Sequence, residues 1–348
     1  MSFYNSYPGF FYRQFLVYPP KAPSTTSLQG KSGIVTGSNT GLGYEASAQL
    51  LDLGLTHLIL AVRSLSKGEI ARESLLASLT KSIEPPVIEV WELDLGDYAS
   101  ITSFIKRLQE SGIYIDFALL NAGVANFDYT QTPSTSHELS IQINWLGTAL
   151  LTLLLLSELN KQIAAHPTRP RPVLSIVGSE TAAWAKFKEA QVSATTSIPL
   201  IEVMDDKTHF DTIDRYYTSK LLSQLFFLEL VRSHRSVSPG AVVNILNPGL
   251  CHGSELHRTA EGAFGGVISG MKRLIGRPLS VGARTLVHAA VLAGESSDGK
   301  YLSDCRVSPF AGYAEKTDGG REIQAQVWEE TMAELSRVVD IDKLLLEI

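Results

Sequence analysis

Between a short apolar run, Gly33-Ile34-Val35-Thr36, and a helical pattern from Tyr44 to about Leu53, the chain carries three glycines in seven residues: Gly37-Ser38-Asn39-Thr40-Gly41-Leu42-Gly43. This junction constrains the fold more than any other stretch. A buried strand that ends in glycines and passes directly into a helix builds a site for nucleotide phosphates. The glycines let the backbone approach the phosphates closely, and the helix N-terminus offers unpaired N–H groups at the positive end of its dipole. The spacing is T-G-x-x-x-G-x-G, not the more frequent G-x-G-x-x-G. A tight turn that binds nothing would use the same residues.

The rest of the chain repeats the strand-to-helix alternation. Apolar runs at His57 to Val62, Val87 to Leu93, Ile115 to Leu120 and Pro172 to Gly178 read as strands. Between and after them, Ser66 to Leu79, Ala99 to Gln109 and Ser136 to Leu159 read as helices. This predicts an α/β fold with a doubly wound parallel sheet and ligands at the carboxyl ends of its strands. Those ends carry polar or glycine residues: Arg63-Ser64, Asp94-Leu95, Asn121-Ala122-Gly123 and Ser179. Where an acidic residue would select a free ribose 2′-hydroxyl, this chain has Arg63, which suits a 2′-phosphate; Ser38 could donate to the same group. The expectation is NADP(H) over NAD(H). Asp94 could hold the adenine amino group, or serve as a turn or cap carboxylate before the helix that starts near Asp97.

A further segment begins with Tyr216-Tyr217-Thr218-Ser219-Lys220 and continues through Leu221, Leu222, Leu225, Phe226, Leu228 and Leu230. On a helix, Tyr216 and Lys220 stand on one face a single turn apart, where an ammonium could lower the pKa of a phenol from its usual value of about 10. Asn144 falls in the apolar middle of its helix and needs a partner there, a neighbouring backbone group or a water. Between Ser179 and Tyr216 lies a long stretch with few periodic features, including Trp184, Phe187, Ile198 and Phe210, read as a substrate-site wall.

Composition excludes several classes. With 44% hydrophobic and 19% charged residues in 348, the chain has material for a core and no sign of disorder. The net charge of −6, with scattered Lys and Arg, argues against nucleic acid as a partner. Two cysteines, Cys251 and Cys305, make no disulfide framework, which fits a reducing, cytoplasmic setting. His252 and His257 lack further ligands at a metal-binding spacing, so no metal is expected. The longest apolar run, Trp145 to Leu156, is too short to span a bilayer and reads as a buried helix, so no transmembrane segment is expected. The N-terminus has no secretory pattern. It is aromatic instead (Phe3, Tyr4, Tyr7, Phe10, Phe11, Tyr12, Phe15, Tyr18), and could touch a membrane surface or fold back over an apolar groove.

Taken in order, Thr36-Gly37-Ser38-Asn39-Thr40-Gly41-Leu42-Gly43, Asp94, Asn121-Ala122-Gly123, Asn144, Ser179, Tyr216-x-x-x-Lys220 and Asn247-Pro248-Gly249 resemble the short-chain dehydrogenase/reductase family. The long Ser179-to-Tyr216 interval, Arg63 and the tail Tyr301-Leu302-Ser303-Asp304-Cys305 resemble its branch of retinol-dehydrogenase-like and fungal secondary-metabolism reductases. The resemblance implies a Rossmann-fold catalytic domain over 30–348, after an aromatic extension over 1–29, with a wall insertion at about 180–213 and a flap at about 250–278. It implies that Tyr216 is the proton donor to a carbonyl, that Lys220 lowers its pKa and holds the nicotinamide ribose, that Ser179 polarises the carbonyl and that Asn144 holds a water. The implied cofactor-binding set is Gly37, Ser38, Asn39, Thr40, Gly41, Leu42, Gly43, Arg63, Asp94, Leu95, Asn121, Ala122, Gly123, Pro248 and Gly249, with Tyr216 and Lys220. One departure follows Gly249: where the family often has a threonine, this chain has Gly253, and Ser254 is the expected substitute. The resulting reading is reduction of a ketone or aldehyde on an apolar small molecule, in a possible homodimer. Alcohol oxidation, isomerisation or epimerisation through transient oxidation, and a scaffold without turnover, would use the same fold.

Overall fold

A computed structural model of the chain describes residues 3–79, 85–233, 235, 239–253, 270, 273–312 and 318–348. Among the described residues eight strands form one sheet: β1 (Ser32–Thr36), β2 (His57–Val62), β3 (Val87–Glu92), β4 (Phe117–Leu120), β5 (Val173–Val177), β6 (Val242–Asn247), β7 (Tyr301–Ser303) and β8 (Arg306–Ser308). Their spatial order is β3-β2-β1-β4-β5-β6-β7-β8. All neighbours pair in parallel except β7 and β8. This is the expected doubly wound, Rossmann-like sheet, extended by one antiparallel edge strand. The inner strands are apolar throughout because both faces are covered, and successive residues alternate between two cores. Ile34 and Ile59 enter one core, and their neighbours Val35 and Leu60 the other.

The first four α-helices are α1 (Tyr7–Leu16), α2 (Gly41–Asp52), α3 (Leu65–Ser78) and α4 (Tyr98–Ser111). Their starts are set by local chemistry. Ser6 caps α1 through Gly9 N–H, Ser64 caps α3, and Asp97 caps α4 by accepting from Ala99 N–H at 3.0 Å. The long central segment runs helically from Leu139 to Ala165, with a π-helical stretch at Gln142–Gly147. By length and composition it could cross a bilayer, but 89% of its apolar window is buried within the fold. Helix Asp318–Leu335 packs against helix Asp214–Ser233: Trp328 stacks on Phe226 with centroids 5.4 Å apart.

The sequence pattern gives no periodic structure between Ser179 and Tyr216, yet the chain there forms a 3-10 turn at Glu180–Trp184 and helices Lys188–Thr196 and Leu200–Asp205. They are too short to display an apolar period and are held by distant side chains. Glu330 accepts from Leu200 and Ile201 N–H, both at 2.8 Å, and Asp214 accepts from Lys186 and Phe187 N–H. The edge strand β8 is likewise absent from the apolar runs that read as strands in the sequence. Its two-residue turn, Asp304-Cys305, has φ of 53° and 61°, the conformation that matches a hairpin's twist but lacks the usual glycine.

His137 ties three of these parts together, bonding Asp205 at 2.7 Å and Glu334 at 3.1 Å. Burial pulls the imidazole pKa down, but the two hydrogen bonds and their charges outweigh it and raise the value to about 9. A raised histidine pKa stabilises the fold fully below the unfolded value of about 6.5, and the gain is lost as pH rises through about 9. The shift corresponds to about 3 kcal/mol at most. The melting temperature should therefore fall between pH 7 and pH 10, and His137→Gln should lower it at pH 7 and flatten that fall. Thermal unfolding followed by circular dichroism checks both.

Candidate active site

The carboxyl ends of β1 to β6 open on one cavity of about 730 Å³. At one end it is bounded by Gly37, Asn39, Thr40, Gly41 and Leu42, with Arg63, Ser64 and Lys67 beside them. Gly37 and Gly41 have φ of 62° and 61°, which a side chain would strain. The turn is clamped from β4: Asn121 Nδ2 donates to the Thr36 and Gly37 carbonyls at 3.0 and 3.3 Å, and Ala122 N–H donates to Thr36 Oγ1 at 2.9 Å. A Cβ on Gly43 would lie 2.5 Å from Asn121 Nδ2, so this glycine is needed for packing of the clamp. Thr40 precedes α2 without a side-chain cap bond, which leaves the first-turn amides for an anion. Uncapped amides, two glycines in left-handed conformation and adjacent cations fit a dinucleotide phosphate. Ser38 is placed otherwise: it is fully buried, its Oγ has no partner among the described residues, and it does not line the cavity. The contact expected of Ser38 is therefore not available to it, and the side chains at this end of the cavity are those of Arg63, Ser64 and Lys67. Ser254 and most of the expected flap lie outside the described residues.

Asp94 and Leu95 line the next part of the wall. Asp94 Oδ1 accepts from Gly96 N–H at 2.8 Å, so it braces its own turn as it faces the cavity, whereas the cap of α4 is Asp97. The Leu95 carbonyl accepts from Gln142 Nε2 at 3.1 Å, bringing the π-helical stretch against the wall. On that stretch Asn144 is held on both sides: Nδ2 donates to the Val124 carbonyl at 2.7 Å and to Ser219 Oγ at 2.9 Å, and Oδ1 accepts from Val124 N–H at 2.9 Å. The amide is thus partnered by the Val124 backbone and by the Ser219 hydroxyl. A Cβ on Gly123 would lie 3.1 Å from Asn144 Oδ1 and 3.4 Å from Lys220 Nζ, so the glycine keeps both groups close to the cavity floor.

Ser179 follows β5, and its Oγ lies 2.9 Å from Thr181 Oγ1 and hydrogen-bonds with Tyr216. Lys220 is buried and donates to the Val177 carbonyl at 2.9 Å. Burial pushes the Tyr216 phenol up to about 12, with the Ser179 bond pulling the other way and the nearby Tyr217 and Glu180 adding to the rise. Burial pulls Lys220 down to about 8. The expected lowering of Tyr216 by Lys220 is thus not what this geometry produces: the ammonium donates to Val177, and burial is the largest influence on the phenol. Pro248 and Gly249 close the far side, with Gly249 N–H donating to Asn247 Oδ1 at 2.7 Å.

Beyond Tyr216 the wall is aromatic, and α1 supplies part of it. Tyr7, Phe10 and Phe11 line the cavity together with Trp184 and Tyr217. Arg13 of α1 pairs with Glu180 and, at 3.5 Å, with Asp304. Gln14 Nε2 donates to the Leu250 and Ile275 carbonyls at 2.8 and 2.7 Å, and Arg277 donates to the Arg13 carbonyl at 2.6 Å while pairing with Asp304 at 2.6 Å. Sequence reasoning missed Arg13, Glu180, Arg277 and Asp304 as parts of the site. One signal was available: Arg13 is the only charged residue among the first twenty, and a lone charge in an aromatic segment calls for a buried partner.

Residues 31–166 match the family model described as short chain dehydrogenase. The chain belongs to the short-chain dehydrogenase family. A relative from the fungus Aspergillus ruber, the short-chain dehydrogenase fogG, is 43% identical over 92% of this chain and 90% of its own, in keeping with the fungal branch that the motifs resemble. Among solved structures, a 3-oxoacyl (acyl-carrier-protein) reductase of Agrobacterium tumefaciens with NADP bound has a TM-score of 0.56 at 15% identity, covering 80% of this chain and 94% of that one. A 3-ketoacyl-(acyl-carrier-protein) reductase of Brucella melitensis complexed with NADH has a TM-score of 0.55 at 15% identity, covering 80% and 97%. These two likenesses establish the fold.

A lysine pKa lowered by burial makes stability rise with pH between about 8 and the unfolded value of about 10.4, and costs the fold up to about 3 kcal/mol at neutral pH. Lys220→Met should therefore raise the melting temperature of the ligand-free protein at pH 7, and the gain should shrink by pH 10. Differential scanning calorimetry at the two pH values checks this.

Proposed function

We propose that this protein is an NADPH-dependent reductase of a ketone or aldehyde on an apolar small molecule. The observation that carries the reading is the continuity of one cavity from the glycine turn and Arg63 to the Ser179, Tyr216 and Lys220 cluster. NADP(H) is favoured by Arg63 and Lys67 at the end where an acidic side chain would select the unphosphorylated ribose. The bound dihydronicotinamide would supply hydride.

The protein's own groups supply the rest. With its pKa pushed up to about 12, Tyr216 holds its proton at neutral pH and is set to act as an acid rather than a base. As hydride adds to the carbonyl carbon, the alkoxide that would form on its oxygen is a stronger base than a phenolate, so the proton moves from Tyr216 to that oxygen. Ser179 Oγ, hydrogen-bonded with the phenol, polarises the same carbonyl oxygen. Lys220 stands one helical turn below, donates to the Val177 carbonyl and would hold a ribose hydroxyl of the cofactor. Asn144 positions these groups, since its bonds to Val124 and Ser219 fix the strand end and the Tyr216 helix relative to one another.

Tyr216→Phe should lower kcat for carbonyl-dependent NADPH oxidation by about 100-fold or more, whereas Tyr217→Phe should cost less than about tenfold. Retained turnover in the first variant would remove the mechanism. In the parent protein kcat/KM should fall as pH rises through about 8, where Lys220 loses its charge, and Lys220→Arg should shift that fall to higher pH. Arg63→Ala should raise the KM for NADPH and leave that for NADH nearly as it was; a parent protein that prefers NADH would overturn the cofactor assignment.

A further inference from the structure

The substrate end of the cavity is a run of aromatic faces that leads to the phenol. Tyr7 of α1 stacks on Trp184 with centroids 4.7 Å apart and planes at 25°, and Phe10 meets the same indole edge-on at 5.3 Å. Trp184 also meets Tyr217 edge-on at 6.1 Å, and Tyr217 adjoins Tyr216 at 6.3 Å. Phe11 and Phe127 complete this part of the lining. The acidic residue here, Glu180, is neutralised by Arg13. The arrangement is therefore wide in aromatic surface and short of free charge.

The α1 helix that carries three of these rings is built in as a wall. Its Arg13, Gln14 and carbonyl groups are bound by Glu180, Asp304, Leu250, Ile275 and Arg277, so its aromatic residues hold a fixed distance from Tyr216. Breaking this anchorage would leave buried charges unpaired, which is strongly unfavourable. Rigid aromatic side chains in fixed positions recognise flat π-systems through stacked and edge-on contacts, beyond the burial of apolar area that any hydrocarbon would give.

We propose that Tyr7, Phe10 and Phe11 of α1, with Trp184 and Tyr217, form a specificity slot that selects an uncharged, flat, conjugated carbonyl compound over a saturated one of the same size. This rests on the reductase reading for the reaction and adds the substrate class. The ring lies among the aromatic faces, and its attached carbonyl reaches Ser179 and Tyr216.

The test uses the full-length protein with 2-acetylnaphthalene and its saturated counterpart 2-acetyldecalin. Turnover is followed by NADPH oxidation, and binding by calorimetry on the Tyr216→Phe variant with NADP present. The aromatic ketone should be favoured at least tenfold in kcat/KM and in affinity. Tyr7→Leu and Trp184→Leu should each cut that preference threefold or more, mainly through KM, whereas Tyr12→Leu, on the same helix but outside the cavity, should keep it. Phe11→Leu, at the exposed rim, serves if either of the first two fails to fold. Equal use of the two ketones by the parent protein, or an unchanged preference in the slot variants, overturns the proposal. If the aromatic ketone binds with the expected variant pattern but is not reduced, the slot stands and the reductase reading fails; if neither ketone binds, the slot fails.

Discussion

Every group in the candidate site depends on one topological constraint, the parallel pairing of β1 with both β2 and β4. A parallel sheet puts all carboxyl ends on one edge, and a chain that moves outward from β1 first in one direction and then in the other opens a crevice at that point. The glycine turn leaves β1 into this crevice, and Asn121-Ala122-Gly123 leaves β4 opposite it. The hydrogen bonds from Asn121 and Ala122 to Thr36 and Gly37 then convert a gap between two strands into a rigid cradle. Residues far apart in the chain, from Arg63 to Lys220, reach the same cavity because each lies just past a strand end or on the helix packed beside one.

The parts of this arrangement that are legible in the sequence are those whose cause is local. A glycine turn between an apolar run and a helix advertises itself, since both the φ above zero at Gly37 and Gly41 and the uncapped start of α2 are properties of a few neighbouring residues. Tyr216 and Lys220 share a helix, so their spacing already places them together. Ser38 shows the limit of such reading: it sits inside the motif, yet the direction of its side chain is set by packing, and it points into the protein.

What the sequence hides is whatever is decided by partners far away. The short helices of the wall have no period of their own, and Glu330 and Asp214 fix their starts. The β7–β8 turn carries no glycine signal, because Asp304 adopts positive φ where its carboxylate can meet Arg277 and Arg13. In Asn144 the sequence shows a buried amide that needs partners, and only the approach of Val124 and Ser219 in the fold shows which protein groups meet it.

The same buried polar groups that build the site work against stability one by one and are held in place collectively. Lys220 has lost its water and gained one carbonyl, so its charge is costly in the ligand-free fold. Around Arg13 the cost is met differently: two carboxylates, Glu180 and Asp304, share two guanidinium groups, Arg13 and Arg277, in a cluster closed off by α1. Removing any one member would strand the others, so the cluster makes α1 inseparable from the segment that begins at Ser179. An aromatic helix that would otherwise be an appendage thereby becomes part of the wall facing Tyr216, and the charge network, more than the apolar contacts it encloses, fixes where that wall stands.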